Sequence, residues 1–269
     1  MGRYSYGRVL VCEAQILTAW EVFSTTFTDF RPGKFRIEGL AILSGAPYSA
    51  APLTRQTGKR PVTADIVYIH PDNPQQRLLV QVAERIRAGA IVVYPTDSAY
   101  ALGCHLGDKA AVDKIRRIRR LDKHHNFTLM CRDLSELGTY AKVDNQLFRQ
   151  LKANTPGPYT LILQATSEVP RRLLHPKRKT IGLRVPDNAI AQGLLAELGE
   201  PLMSVTVIPP GNDKPLTDPE DIKDWLLQHV DVFVDGGYCG LEPTTVIDFS
   251  GDHPLLLRAG MGDPQVFGC

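Results

Sequence analysis

Four apolar, β-prone residues, Ile91, Val92, Val93 and Tyr94, run straight into Pro95 and then into three short polar side chains, Thr96, Asp97 and Ser98, before the chain reaches Gly103. This order predicts a buried strand whose pairing stops at Pro95, because proline has no N–H to give to a sheet ladder. The polar residues beyond it admit two readings. Either they turn their side chains toward a ligand, or Asp97 and Ser98 bond their own backbone in an ordinary strand-to-turn transition.

Upstream of that strand, PDNP at 71–74 predicts a turn with Asn73 as N-cap and Pro74 at the first helical position. Leu78, Leu79, Val82, Ala83 and Ile86 then recur at helical spacing until Gly89. Downstream, Asp108 caps a helix to residue 120 whose buried stripe is Val112, Ile115 and Ile118. A short strand is expected at 127–131, helices at 134–140 and 145–152, a strand at 159–164, a brief helix at 170–174 and a strand at 180–185. A helix at 189–198 ends at Gly199, a strand occupies 201–207, and a helix at 219–228 is capped by Thr217 or Asp218. Strands at 231–234, 245–249 and 255–258 complete the pattern. Helices alternating with strands, with the last strands closely spaced, predict an α/β fold built on a twisted mixed parallel/antiparallel sheet flanked by helices.

Residues 1–66 differ from the rest of the chain. Their apolar residues hold no lasting period, and 44–61 is rich in Gly, Pro, Ser, Thr and Ala, so a poorly ordered extension, or an upstream start wrongly assigned, precedes a domain at 67–269. The chain's 269 residues suffice for one large core, and a formal charge of +2 is too small to argue nucleic-acid binding by itself. With no long apolar run and no basic-then-apolar leader, a cytoplasmic protein with no membrane partner is expected. The five cysteines form no CxxC pair or zinc spacing, which predicts reduced thiols and no metal site; Cys104 and Cys131 read as small buried hydrophobes. There is no GxGxxG fingerprint, no Walker loop and no GxSxG.

Local charge says more than net charge. Lys114, Arg116, Arg117, Arg119 and Arg120 crowd the end of one helix, succeeded by Lys123, His124 and His125, and HPKRK at 175–179 is a second cluster. Both can be solvated faces, the first helped by the helix C-terminal dipole, or both can rim an anion-binding cleft. Arg184, inside the apolar strand TIGLRV, is costly to bury unless something negative meets it.

Five segments, in order, carry a resemblance: YIHPDNPQQRL at 68–78, YPTDSAYALGC at 94–104, HNFTLMCRDLSEL at 125–137, KTIGLRVP at 179–186 and PTTVID at 243–248. Over about three quarters of the chain it resembles the YrdC/YciO family of threonylcarbamoyl-adenylate synthases and relatives, and within that family the YciO branch. The resemblance implies a YrdC-like fold with a concave basic cavity. It also implies a reaction joining L-threonine, bicarbonate and ATP, with Mg²⁺, into threonylcarbamoyl-adenylate and diphosphate, on the way to a modified adenosine in tRNA. By position it places Thr96 and Ser98 on threonine, Arg184 on an anionic group, and Thr245 and Arg258 on the far wall. Tyr100, Arg119, His125, Ser204 and Thr206 join the substrate- and nucleotide-binding set, and no catalytic residue is assigned.

The chain also departs from the family pattern. A Lys-x-Arg pair falls on Arg119 and Leu121, a further Lys on His125, and a Ser-x-Asn motif on Thr206 and Ile208. One fixed cation is lost, another becomes an imidazole, and an amide becomes a hydrocarbon. Three functions are therefore expected as alternatives: a weak or altered synthase, a nucleotide, tRNA or double-stranded RNA binder without efficient adenylation, or a regulatory protein with an empty pocket.

Overall fold

The computed structural model describes residues 63–122 and 125–269. The chain enters as β1 (Asp65–Tyr68), α1 (Gln76–Arg87), β2 (Val92–Tyr94), β3 (Ala101–His105) and α2 (Lys109–Arg119). It continues as β4 (Thr128–Met130), α3 (Leu134–Tyr140), α4 (Asn145–Asn154), β5 (Tyr159–Gln164) and β6 (Thr180–Arg184). It closes with α5 (Ala189–Leu198), β7 (Leu202–Thr206), α6 (Pro219–Leu226), β8 (Val232–Asp235), β9 (Thr245–Asp248) and β10 (Leu255–Arg258).

Among the described residues the strands form one ten-stranded sheet in the order β1-β8-β2-β3-β7-β4-β6-β5-β9-β10. Pairing is parallel at β1–β8, β8–β2, β4–β6 and β5–β9 and antiparallel elsewhere, so the sheet is mixed as expected. β2 stops pairing at Tyr94 opposite Ala101, one residue before Pro95.

Side chains alternate between the two faces of each strand. One face sends Ile91, Val93, Leu102, Cys104, Leu129, Leu161, Ile181, Leu183, Met203 and Ile247 into a core shared with Val112 and Ile115 of α2, Leu137, Leu151 and Ile222. On the other face α1 and α5 pack together over Val92, Tyr94, Leu202, Val232 and Val234, contributing Leu79, Val82, Ile86, Ile190, Leu194 and Leu195. Gly193 makes that approach feasible, since a Cβ there would stand 2.6 Å from Leu79 Cδ1. Each buried Leu or Ile contributes ~1.5–3 kcal/mol, so the helix pair anchors the β1–β7 end of the sheet.

Asp108 and Asp218 cap α2 and α6 as expected, each accepting an N–H from the first turn, and Asp133, Asp144 and Asn188, not named from the sequence, do the same for α3, α4 and α5. Two local expectations do not hold. α1 starts at Gln76, not at Pro74, and Asn73 caps nothing. The N–H groups of Asp72 and Asn73 instead donate to His70 Nδ1, and His70 N–H donates to Gln75 Oε1, so the histidine organises that turn. Residues 170–174 form isolated turns, because His175 N–H already donates to Thr180 O and returns the chain to β6.

Cys104 and Cys131 are buried, and burial first of all pushes the Cys104 thiol up to about 12 and that of Cys131 well above its ordinary value. No helix among the described residues is long and apolar enough to cross a membrane.

The expected extension at 1–66 lies outside the described residues except at its end, where the boundary moves. Asp65 and Ile66 belong to β1, opposite Val232 and Phe233, and Ala64 is buried in the core with its N–H on Leu227 O. A chain beginning at Val67 is therefore expected to be less stable than one beginning at Thr63 by ~2 kcal/mol, about 4–8 °C in Tm. Equal melting temperatures for the two would show that this half-strand adds nothing.

Candidate active site

The face covered by α1 and α5 at one end of the sheet is open at the other, and there a cavity of about 240 Å³ lies over β3, β7, β4, β6, β5, β9 and β10. Strand parity selects its walls. Thr128 and Met130, Thr160 and Ile162, Gly182 and Arg184, Ser204 and Thr206, and Thr244 and Val246 all face it, while their chain neighbours Leu129, Leu161, Leu183, Met203 and Ile247 are in the core behind. Gly182 keeps the floor clear: a Cβ there would come within 2.9 Å of Thr128 Oγ1.

Two arginines supply positive charge, a histidine stands beside them, and no carboxylate lines the wall. Arg184, 6% exposed, donates from Nη2 to Asp97 Oδ1 at 2.5 Å. The pair leaves two buried atoms without partners, Arg184 Nε and Asp97 Oδ2. Burial lowers the Arg184 pKa and the Asp97 carboxylate opposes that shift. Arg258, in β10, donates from Nε to Thr244 O and from Nη2 to Thr244 Oγ1, both at 3.0 Å, and Thr244 Oγ1 lies 2.9 Å from Thr160 Oγ1. Burial, then repulsion from Arg184, lowers the Arg258 pKa. His125 is also on the wall, its ring edge-on to Phe127 at 5.9 Å. Desolvation, followed by the charges of Arg119 and Arg116, holds its pKa below the usual histidine value, so it is neutral in the free protein at pH 7.

Thr96, His125, Arg184, Ser204, Thr206 and Arg258 are thus brought together on one wall, and Ser204 Oγ accepts from Tyr94 OH at 2.8 Å. Four expected residues are not part of it. Ser98 is buried beside Thr96 but off the lining. Tyr100 belongs to the core: its hydroxyl donates to Gly237 O at 2.7 Å and accepts from Gly236 N–H, and its ring stacks on Phe233. Thr245 points to the opposite face, where its hydroxyl donates to Gly262 O and accepts from Gly260 N–H; its neighbour Thr244 holds the far wall. Arg119 stands off the lining near His125, its Nε unpartnered, and burial lowers its pKa to about 10.

The loop after β2 resolves its two readings differently from either. Thr96, not Asp97 or Ser98, makes the local turn, donating to Ala99 O at 2.6 Å and accepting from the N–H groups of Ser98 and Ala99. Asp97 reaches away to Arg184. The HPKRK cluster does not line the cavity, and its Arg178 is tied to the buried Asp248 at 2.7 Å. Thr128, Thr160, Thr244 and Asn126, whose buried Oδ1 has no partner, were missed by sequence reading; alternation on the predicted strands is the signal that would have found the threonines. Among the described residues no group of three or more His, Cys, Asp or Glu side chains is placed to hold a metal ion.

Residues 84–260 match the sequence model of the Sua5, YciO and YrdC proteins, which carries the description telomere recombination. The chain is 60% identical to YciO of Escherichia coli K12 over 74% of this chain and 97% of that protein. It is 29% identical to the threonylcarbamoyl-AMP synthase of Vibrio vulnificus YJ016, over 59% of this chain and 86% of that one. The crystal structure of E. coli YciO superposes with a TM-score of 0.74 at 58% identity, covering 76% of this chain and 99% of that one. That of Pyrococcus abyssi Sua5 with L-threonine superposes with a TM-score of 0.70 at 25% identity, covering 76% and 61%.

A buried ion pair is costly to break on one side only, because the remaining charge is left unpaired. Arg184→Met and Asp97→Asn are each expected to lower stability by ~3 kcal/mol, and the double variant by ~1.5–3 kcal/mol less than their sum. Urea denaturation of the four proteins measures this; strictly additive losses would mean that the two groups do not support one another.

Proposed function

We propose, from the premise that the chain belongs to the Sua5, YciO and YrdC family, that it condenses an amino acid, L-threonine by analogy, with bicarbonate and ATP to a carbamoyl-adenylate and diphosphate. The observation that carries this reading is Arg184, held by Asp97 and with its buried Nε unpartnered, on a cavity wall that also holds Arg258. An amino acid brings both an amine and a carboxylate. Arg184 Nε and the Arg258 guanidinium suit the carboxylate, and the wall hydroxyls of Thr96, Ser204 and Thr206 can accept from the amine. The likeness to a Sua5 bound to L-threonine supports the same choice.

In this reaction the amine adds to bicarbonate with loss of water, and a carbamate oxygen then attacks the α-phosphorus of ATP as the bond to the β-phosphate breaks. The chain's own residues hold and orient. Thr96, Thr128, Ser204 and Thr206 offer hydroxyls along one wall, and the fixed arginines meet negative charge without having to reorganise. No step is assigned to Mg²⁺ beyond its accompanying the nucleotide's phosphates.

The nucleotide side is the weaker half. Leu121, standing where the family has an arginine, packs against the core, and His125 replaces a lysine with an imidazole that is neutral at pH 7. This favours, as a second reading, a protein that holds a nucleotide or RNA without efficient adenylation.

Diphosphate release measured with ATP, bicarbonate and each amino acid separates the two: release that requires all three substrates supports the synthase, and ATP binding without release supports the binder. His125→Lys combined with Ile208→Asn is expected to raise release by more than the product of the single effects, each about ten-fold, since ~1.5 kcal/mol per charged hydrogen bond is restored on one ligand. Leu121 is left alone in that variant because of its place in the core.

Proton linkage gives an independent check. The free His125 is held neutral and a bound polyanion favours imidazolium, so binding takes up a proton and ATP affinity is expected to rise as pH falls from about 8 toward about 5.5. Calorimetry should find that rise abolished in His125→Lys, with tighter binding at the alkaline end. A pH-independent wild-type affinity would remove His125 from the nucleotide site.

A further inference from the structure

The basic run at the end of α2 divides between two faces. Arg116 lies over Phe127 at 5.1 Å, and Phe127 meets His125 of the cavity wall, so Arg116 and Arg119, three residues on, share the side of the helix toward the cavity. Arg117 and Arg120 point elsewhere. With Ile118, Pro210, Trp225 and His229 they line a separate open hollow of about 350 Å³ between α2, α6 and the loop after β7. Residues three apart on a helix share a face and residues one apart do not, so the split comes from the helix itself.

We propose that this hollow binds a nucleotide unit, with the base against Trp225 and the phosphate between Arg117 and Arg120. Three observations carry it. No carboxylate lines the hollow, so its cations are not spent on a neighbouring acid. Arg117 uses only Nε, on Asp113 O, and Arg120 makes no side-chain bond among the described residues. Arg120 also occupies the left-handed region at φ 50° and ψ 43° as the cap of α2, with its N–H on Arg116 O and Arg117 O. Glycine is the usual residue at such a position, and a long side chain there is kept against a local conformational cost, a pattern that points to work done by that side chain. An indole beside guanidinium groups joins a stacking surface to phosphate donors, which a base with its phosphate uses together and an acidic peptide uses only in part. The site is independent of the cavity and of the reaction assigned to it.

Trp20 and Trp225 are the chain's two tryptophans, so Trp20→Phe makes the emission report Trp225 alone. In that protein, AMP and a six-residue oligoadenylate are titrated over a range of salt. Quenching is expected, with affinity falling as salt rises. Arg117→Gln with Arg120→Gln should weaken it at least ten-fold, and Arg258→Ala in the cavity should leave it unchanged. Tighter binding of the oligomer identifies a nucleic-acid strand as the source, and equal binding a free nucleotide. Arg120→Gly is expected to raise Tm while weakening binding several-fold. The proposal is overturned by no quenching at millimolar ligand, by quenching that survives the double arginine change, by equal quenching with hexaglutamate, or by an Arg120→Gly protein that binds as before.

Discussion

One face of the sheet is covered by α1 and α5 only from β1 to about β7, and the remaining strands turn that face toward a cavity. This unequal cover sets the chemistry of the site. Where helices sit on the face, its positions are Val92, Tyr94, Leu202 and Val232; past their edge the same parity carries Thr128, Thr160, Ser204, Thr206 and Thr244. Met130 and Ala101 belong to both regions and mark the border. The opposite face is apolar apart from Thr245, whose hydroxyl is bonded to the backbone, so the polar strip rests on a packed layer and its side chains are held in place by strands on a rigid core.

Within that strip the Asp97–Arg184 contact links the loop after β2 to β6, which do not pair in the sheet. Two charges removed from water cost more than their attraction returns unless the geometry and the remaining hydrogen bonds are good. Here one donor, Arg184 Nε, and one acceptor, Asp97 Oδ2, remain unsatisfied. The same pair therefore adds a long-range tie to a loop that Thr96 already organises locally. Arg258 adds a second cation, fixed by Thr244 rather than by a carboxylate, which keeps its charge available.

The departures from the family pattern concentrate at one end of the site. On the proposed reading the amino-acid-facing groups are retained, whereas Leu121 and His125 stand where the resemblance implies fixed cations for a polyphosphate. A hydrocarbon packed into the core and an imidazole depressed by neighbouring arginines provide much less field for a leaving diphosphate than Lys and Arg would.

Strands and helices were legible from residue order because period-2 and period-3.6 patterns, capping aspartates and Gly199 act over a few residues: β5, α5 and β10 fall where the pattern puts them. Arg184 was legible as well, since an arginine inside an apolar strand needs a partner. Which partner it took was not. Asp97 is 87 positions away, and only the sheet order that separates β2 from β6 by three strands brings the carboxylate to it. Choosing Thr244 over Thr245 needed to know which face of β9 was uncovered, and separating Arg116 and Arg119 from Arg117 and Arg120 needed to know what lay on each side of α2. The sequence by itself determined the local elements and the residue chemistry available. The tertiary structure decided which of those groups share a cavity, because sharing is set by long-range pairing and by where the covering helices end.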